Sequence, residues 1–126
     1  MKFKLDYPPS LNRYWRQWHG RAILSREARD YKKTVAYQGM EQGLKRQEGP
    51  LVVHLRVFRP MKRGDLDNTA KALLDALNGI AWNDDSQIVE LHMYLEDDKE
   101  YPRVEVMVFQ RAEIKKEELA IIGEAT

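Results

Sequence analysis

The sequence predicts an α+β domain, a single compact unit with the element order β-α-β-α-β-β and helices packed on a small mixed sheet. Three observations lead there. Apolar residues alternate with period two over residues 51–59, 87–95 and 103–110. Apolar stripes recur at helical spacing over residues 26–45 and 66–78. The 126 residues suffice for one domain with its own core.

Each element has a local reason. Residues 2–7 read as a first strand, stopped by Pro8-Pro9, which cannot continue a ladder. Residues 10–24 are expected to form a loop crowded with basic and aromatic groups: Asn12, Arg13, Tyr14, Trp15, Arg16, Trp18, His19 and Arg21. Ser25 suits the N-cap of a helix running to about Lys45, with Ala28, Tyr31, Val35 and Gln38 or Gly39 inward. Gly49-Pro50 resets the chain. Over residues 51–59, Leu51, Val53, Leu55 and Val57 face one way, and Val52, His54, Arg56 and Phe58 the other. A basic loop, Pro60 to Gly64, leads to a helix over 66–78 with Leu66, Ala70, Leu73, Leu74 and Leu77 on one face. Asn78-Gly79 ends it, and Asn83-Asp84-Asp85-Ser86 is a turn. The last two strands are expected to form a hairpin around the charged loop Glu96–Glu100. Residues 1–112 then form the domain, and residues 113–126 a terminal helix or tail.

Composition narrows the chemistry. The absence of cysteine excludes disulfides, thiolate zinc or iron–sulfur ligation and a cysteine nucleophile. Apolar runs fall short of the ~20 residues a membrane helix needs. The first residues lack an apolar stretch of the secretory kind, so a cytoplasmic protein is expected. The net charge of +1 hides an asymmetry. Residues 1–63 carry 15 Lys and Arg against 5 Asp and Glu; residues 64–126 carry 6 against 15. A basic half suits a polyanion, and an acidic half suits a cation. A metal-dependent enzyme on nucleic acid needs both, although two mixed-charge faces of an ordinary domain fit the same counts.

The informative stretch is Gly64-Asp65-Leu66-Asp67-Asn68-Thr69-Ala70-Lys71, followed by Asp75 and by Asp84-Asp85. Asp67, Lys71 and Asp75 form a stripe at i, i+4 and i+8, opposite the leucines. Two carboxylates two residues apart, with a third from a turn, can gather oxygen ligands for a hard divalent cation. Carboxylates ~4 Å apart at an effective dielectric near 20 repel by about 4 kcal/mol, so such a set calls for a counter-charge. The same residues also read as helix-dipole partners and an ordinary i,i+4 ion pair. Asp65-Leu66-Asp67-Asn68-Thr69 matches the D-x-D-x-T of haloacid-dehalogenase-type phosphatases, but no buried strand runs directly into Asp65. An EF-hand loop fails because Ala70 stands at the glycine position.

Taken together the pieces resemble the RusA family of Holliday-junction resolvases, from about Tyr7 to Phe109. They are Pro8-Pro9-Ser10-x-Asn12-Arg13-Tyr14; Ser25 leading into a helix with Arg29 and Tyr31; Asp65-Leu66-Asp67-Asn68-x-x-Lys71; Asp75-Ala76-Leu77; and Trp82-x-Asp84-Asp85-x-Gln87-Ile88-Val89. The chain departs from the arginine run of some members, having Arg59-Pro60-Met61-Lys62-Arg63-Gly64 before Asp65. The resemblance implies a RusA-like fold and magnesium-dependent cleavage of DNA phosphodiesters, with manganese able to substitute. It implies Asp65, Asp67 and Asp85 as metal ligands and Lys71 as catalytic helper. Branched DNA, a four-way junction, is the expected partner, cut by a homodimer that is bacterial or encoded by a phage or prophage. Asn12, Arg13, Arg16, Arg21, Lys62 and Arg63 are the expected DNA contacts, since phosphate pairing dominates affinity.

Two other readings stand beside this one: a metal nuclease for other branched DNA, and a junction-binding protein that does not cut. Asp84 is the rival to Asp85 and is expected to shape the turn. Asp75 pairs with Lys71 or assists the metal through water. His54 and His92 are expected on a sheet surface rather than as ligands. Val52, Phe58, Ile88 and Tyr94, apolar groups on mixed strand faces, mark the expected dimer surface.

Overall fold

The alternation over residues 51–59 produces the central strand of a four-stranded mixed sheet. The structure, a computed structural model, describes residues 1–9, 15–61 and 66–113, without side chains at 15–18, 22 and 66–68. Its strands are β1 (Lys2–Asp6), β2 (Trp15–Trp18), β3 (Arg21–Leu24), β4 (Leu51–Arg59), β5 (Ile88–Asp97) and β6 (Arg103–Gln110). Helices α1 (Arg26–Glu41) and α2 (Leu66–Leu77) complete the expected order, with a 3₁₀ turn at Asp85–Gln87 before β5. The sheet order is β1-β6-β4-β5. β4 runs parallel to β5 and antiparallel to β6, which is antiparallel to β1.

The inward faces follow the sequence pattern. Leu51, Val53, Leu55 and Val57 are fully buried with Val104, Val106, Val108, Phe3 and Leu5. Tyr31 and Val35 of α1, Leu73 and Leu77 of α2, and Trp82 cover the same face. Both helices therefore lie on one side of the sheet. The opposite side carries Val52, His54, Arg56 and Phe58 from β4, beside Phe109, Met107, Glu105 and Arg103 from β6.

The expected hairpin of the last two strands does not form, because β4 lies between them. The unit β4-α2-β5 is a helical crossover, which delivers its second strand parallel to the first. β6 presents Val104, Val106 and Val108 to the core and is paired on its two sides with β1 and β4. β5 leaves Val89, Leu91 and Leu95 exposed and takes the edge.

Residues 15–24 also depart from the expected loop. β2 and β3 form a separate two-stranded hairpin, with Trp15 opposite Leu24. Its two-residue turn, His19-Gly20, has φ of 49° and 74°, the two positive values a type I′ turn requires. α1 ends at Glu41, short of the expected Lys45. Gly43 takes a φ of 73°, and the Leu44 N–H closes back on the Gly39 carbonyl at 2.8 Å. At its start the Ser25 hydroxyl accepts the Ala28 N–H at 3.1 Å, the expected cap.

The two sheet edges are treated differently. On β1, the Lys4 and Asp6 N–H groups donate to the side-chain carbonyls of Gln42, which caps α1, and Gln38, within it, at 2.6 and 3.0 Å. The Gln42 amide returns a bond to the Lys4 carbonyl at 2.6 Å. This edge is thus closed to further strands. Among the described residues, no hydrogen bond caps the outer edge of β5. Of the expected dimer surface, Val52 and Phe58 are already buried within the chain, at 3% and 9% exposure. The Arg103 guanidinium lies 3.6 Å from the centre of the Phe58 ring, so that face is covered by its own long polar side chains.

Candidate active site

Helix α2 carries the charged stripe because its leucines claim the other side. Leu73 and Leu77 are fully buried, while Lys71 is exposed and Asp75 half-buried. Asp67 stands in the first turn, and successive members of Asp67, Lys71 and Asp75 are one turn apart. The carboxylate of Asp67 lies outside the described atoms, and Asp65 outside the described residues.

The third carboxylate comes from the turn after α2, which is tied down at several points. The fully buried Trp82 donates its indole N–H to Asn78 Oδ1 at 2.7 Å. The Gly79 N–H, at a φ of 82°, donates to the Trp82 carbonyl at 2.7 Å. Gln87 then pins the turn itself. Its Oε1 accepts the N–H groups of Asn83 and Asp84 at 2.8 and 3.2 Å. Its Nε2 donates to the carbonyls of Gln47 and Gly49 at 3.2 and 3.1 Å. One side chain thus fixes the segment that holds Asp84 and Asp85 against the entry to β4. Sequence reasoning placed Gln87 in a motif and assigned it no role; a lone amide carries no periodic signal.

The two turn carboxylates differ. The Ser86 hydroxyl donates to Asp84 Oδ2 at 2.7 Å. That bond holds the Asp84 carboxyl below its ordinary range. Asp85 is half-buried, and its carboxyl is pushed up, first by loss of solvent. The charge of Asp84, a hydrogen bond with it and the charge of Asp75 act in the same direction. Asp85 and Asp75 therefore feel one another across the space between the turn and α2. Asp84 is engaged in the turn, as expected. Among the described residues, no three His, Cys, Asp or Glu side chains converge closely enough to hold an ion.

A family profile described as endodeoxyribonuclease RusA matches residues 6–109. The chain belongs to the RusA family. It is 38% identical over 92 residues to a crossover junction endodeoxyribonuclease of Enterobacteria phage 82, covering 68% of this chain and 74% of the relative. The protein of that name from Escherichia coli is 37% identical over the same shares. The one from Shigella sonnei is 36% identical. The RusA match runs from the last residue of β1 into β6 and so includes both the α2 stripe and the Asp84-Asp85 turn.

The remaining candidates of this RusA-family chain separate by position. Arg21 lies exposed on β3, and Arg16 lies on β2. Asn12, Arg13, Lys62 and Arg63 fall outside the described residues. His54 and His92 occupy neighbouring strands on the helix-free face, with rings stacked 4.5 Å apart. They lie on the sheet surface, as expected. No helix among the described residues is long and apolar enough to cross a membrane.

Proposed function

We propose that this chain is a magnesium-dependent endonuclease that resolves four-way DNA junctions by paired symmetric nicks, acting in recombination and repair. It belongs in the bacterial cytoplasm, encoded by the host or by a phage or prophage. The observation that carries the reading is the destabilised Asp85 carboxyl, raised by burial and by Asp84 and Asp75 beside a helix that also bears Asp67 and Lys71. An all-oxygen set short of positive charge suits a hard divalent cation.

Asp65, Asp67 and Asp85 would hold that ion. Magnesium, or manganese in its place, would polarise the scissile phosphate and lower the pKa of an attacking water. Lys71 places a compact positive charge on the same helix face, where it counters charge developing on phosphate oxygens. The Gln87 staple keeps Asp85 from drifting when charge in the site changes. Asn12, Arg13, Arg16, Arg21, Lys62 and Arg63 grip the backbone of the branched DNA. Two copies act together, because the substrate has two strands to cut and each chain supplies one carboxylate set.

A nicking assay on a synthetic four-way junction, with and without magnesium, tests this reading. Cleavage that requires the metal and disappears in Asp67→Asn, with junction binding retained, is the expected result. Full cleavage by Asp67→Asn would overturn the site.

A further inference from the structure

The connection between α1 and β4 is fastened to the turn that carries Asp84 and Asp85. The Gln47 N–H donates to the Ala81 carbonyl at 2.7 Å, and the Gln47 backbone forms a parallel bridge with Trp82. The Gln87 amide reaches the carbonyls of Gln47 and Gly49 from the C-terminal end of the same turn. Arg46 adds a second side-chain clamp. Its Nη1 donates to Asn83 Oδ1 at 3.0 Å and its Nη2 to the Gly79 carbonyl at 2.7 Å.

The two Arg46 bonds act as a unit. A guanidinium is planar and rigid, so its terminal nitrogens hold their acceptors at a fixed spacing. Here the acceptors belong to the first and last residues of the segment 79–83, so one side chain sets the size of that loop. Gln87 closes the next segment through the N–H groups of Asn83 and Asp84. Asn83 is thus held twice, by Arg46 at its side chain and by Gln87 at its backbone. The two clamps meet at the residue directly before the carboxylate pair.

Charge favours the same placement. α2 has no basic residue in its last turn, which carries Asp75. A helix C-terminus disfavours an anion and favours a cation. Arg46 brings that cation from another element and donates to Gly79, two residues past the end of α2. Both acceptors are neutral, and Arg46 and Asn83 are exposed. Loss of these bonds therefore loosens the turn without opening the core.

We propose that Arg46 is a positioning residue for junction cleavage: its fork fixes Asn83, and through Asn83 the placement of Asp85 against the α2 stripe. The proposal rests on the junction-endonuclease reading above and adds to it a residue that acts without touching metal or DNA. The rival role for an exposed arginine is a phosphate contact. That role needs the charge rather than the fork, and it does not involve Asn83.

A double-mutant cycle on Arg46 and Asn83 tests the assignment. It is read by single-turnover cleavage of a synthetic four-way junction with magnesium at saturating enzyme, and by junction affinity in EDTA. Arg46→Ala should slow cleavage about 10-fold, a moderate case of the loss that follows when a reacting group is misplaced, with junction affinity unchanged. Asn83→Ala should slow it less, since the bond to Gly79 remains. The double variant should be no slower than Arg46→Ala, because that change has already removed the bond to Asn83. Arg46→Lys should rescue little, because a single ammonium does not reproduce the fork. Losses that multiply in the double variant, or full cleavage by Arg46→Lys, would overturn the proposal. So would weaker junction binding with an unchanged saturated rate in Arg46→Ala, which would make Arg46 a phosphate contact. Wild-type protein that cuts junctions no faster than Arg46→Ala would remove the role of Arg46 alone. Wild-type protein that binds junctions without cutting them would remove the parent reading with it.

Discussion

The indole N–H of Trp82 donates to the Asn78 side-chain oxygen at 2.7 Å, joining the end of α2 to the turn that carries Asp85. Trp82 is fully buried, so the bond sits at the edge of the core. Trp82→Phe should cost about 1–3 kcal/mol for the stranded acceptor, plus a smaller packing loss. Trp82→Ala should cost about 3–5 kcal/mol through the cavity it leaves. Urea denaturation measures both.

Gln87 holds the same turn by four hydrogen bonds. Gln87→Leu keeps bulk and removes all four. Junction cleavage should fall about 10-fold or more, as expected when a reacting group is misplaced. Duplex affinity should stay close to wild type, because all four bonds of the amide run to backbone groups of its own chain. Equal losses in cleavage and in binding would make Gln87 a fold residue only.

Asp85 makes a pH-dependent prediction. Its folded-state pKa is raised above the ordinary value, first by loss of solvent and then by Asp84 and Asp75. Ionised Asp85 therefore opposes folding above that pKa, and the penalty fades as pH falls toward the unfolded value near ~3.9. Metal-free Asp85→Asn should melt higher than wild type at neutral pH. The gap should close as the buffer approaches pH ~4. A lower melting temperature in Asp85→Asn at neutral pH would contradict the repulsion.

Lys71 stands exposed on the α2 stripe between Asp67 and Asp75. Lys71→Ala should slow cleavage roughly 10²–10³-fold, the usual loss for one electrostatic stabiliser. Lys71→Arg should rescue poorly, since a planar fork does not replace a compact ammonium. Single-turnover rates at saturating enzyme separate this effect from weakened binding.

Assembly should use the open edge of β5. Antiparallel pairing centred on His92 would set Leu91 against Met93 and Val89 against Leu95, extending the sheet across a two-fold axis. Light scattering should give about twice 14.8 kDa. Leu91→Lys should give monomers that release singly nicked cruciform plasmid, where the dimer yields linear product. A persistent dimer in Leu91→Lys would move the interface away from this edge.

How much of this could be read from the chain depended on range. The cap at Ser25, the inward stripe of α1, the alternation of β4 and the leucine face of α2 all act within a few residues, and the structure bears them out. So does the placement of Asp67, Lys71 and Asp75 on one helix stripe, which is a matter of period alone. The β2–β3 hairpin was missed because His19-Gly20 is not the usual Asn-Gly or Asp-Gly signal, although Gly20 supplies one of its positive φ values.

The sequence by itself determined the two helices, the four strands of the main sheet, their core faces and the helix stripe, because periodicity and capping are local. Only the tertiary structure decided that β4 separates β5 from β6, that glutamines close the β1 edge, and that Gln87 and Trp82 anchor the turn of Asp85. Those outcomes depend on burial shared among strands distant in the chain, a competition that no window of neighbouring residues contains.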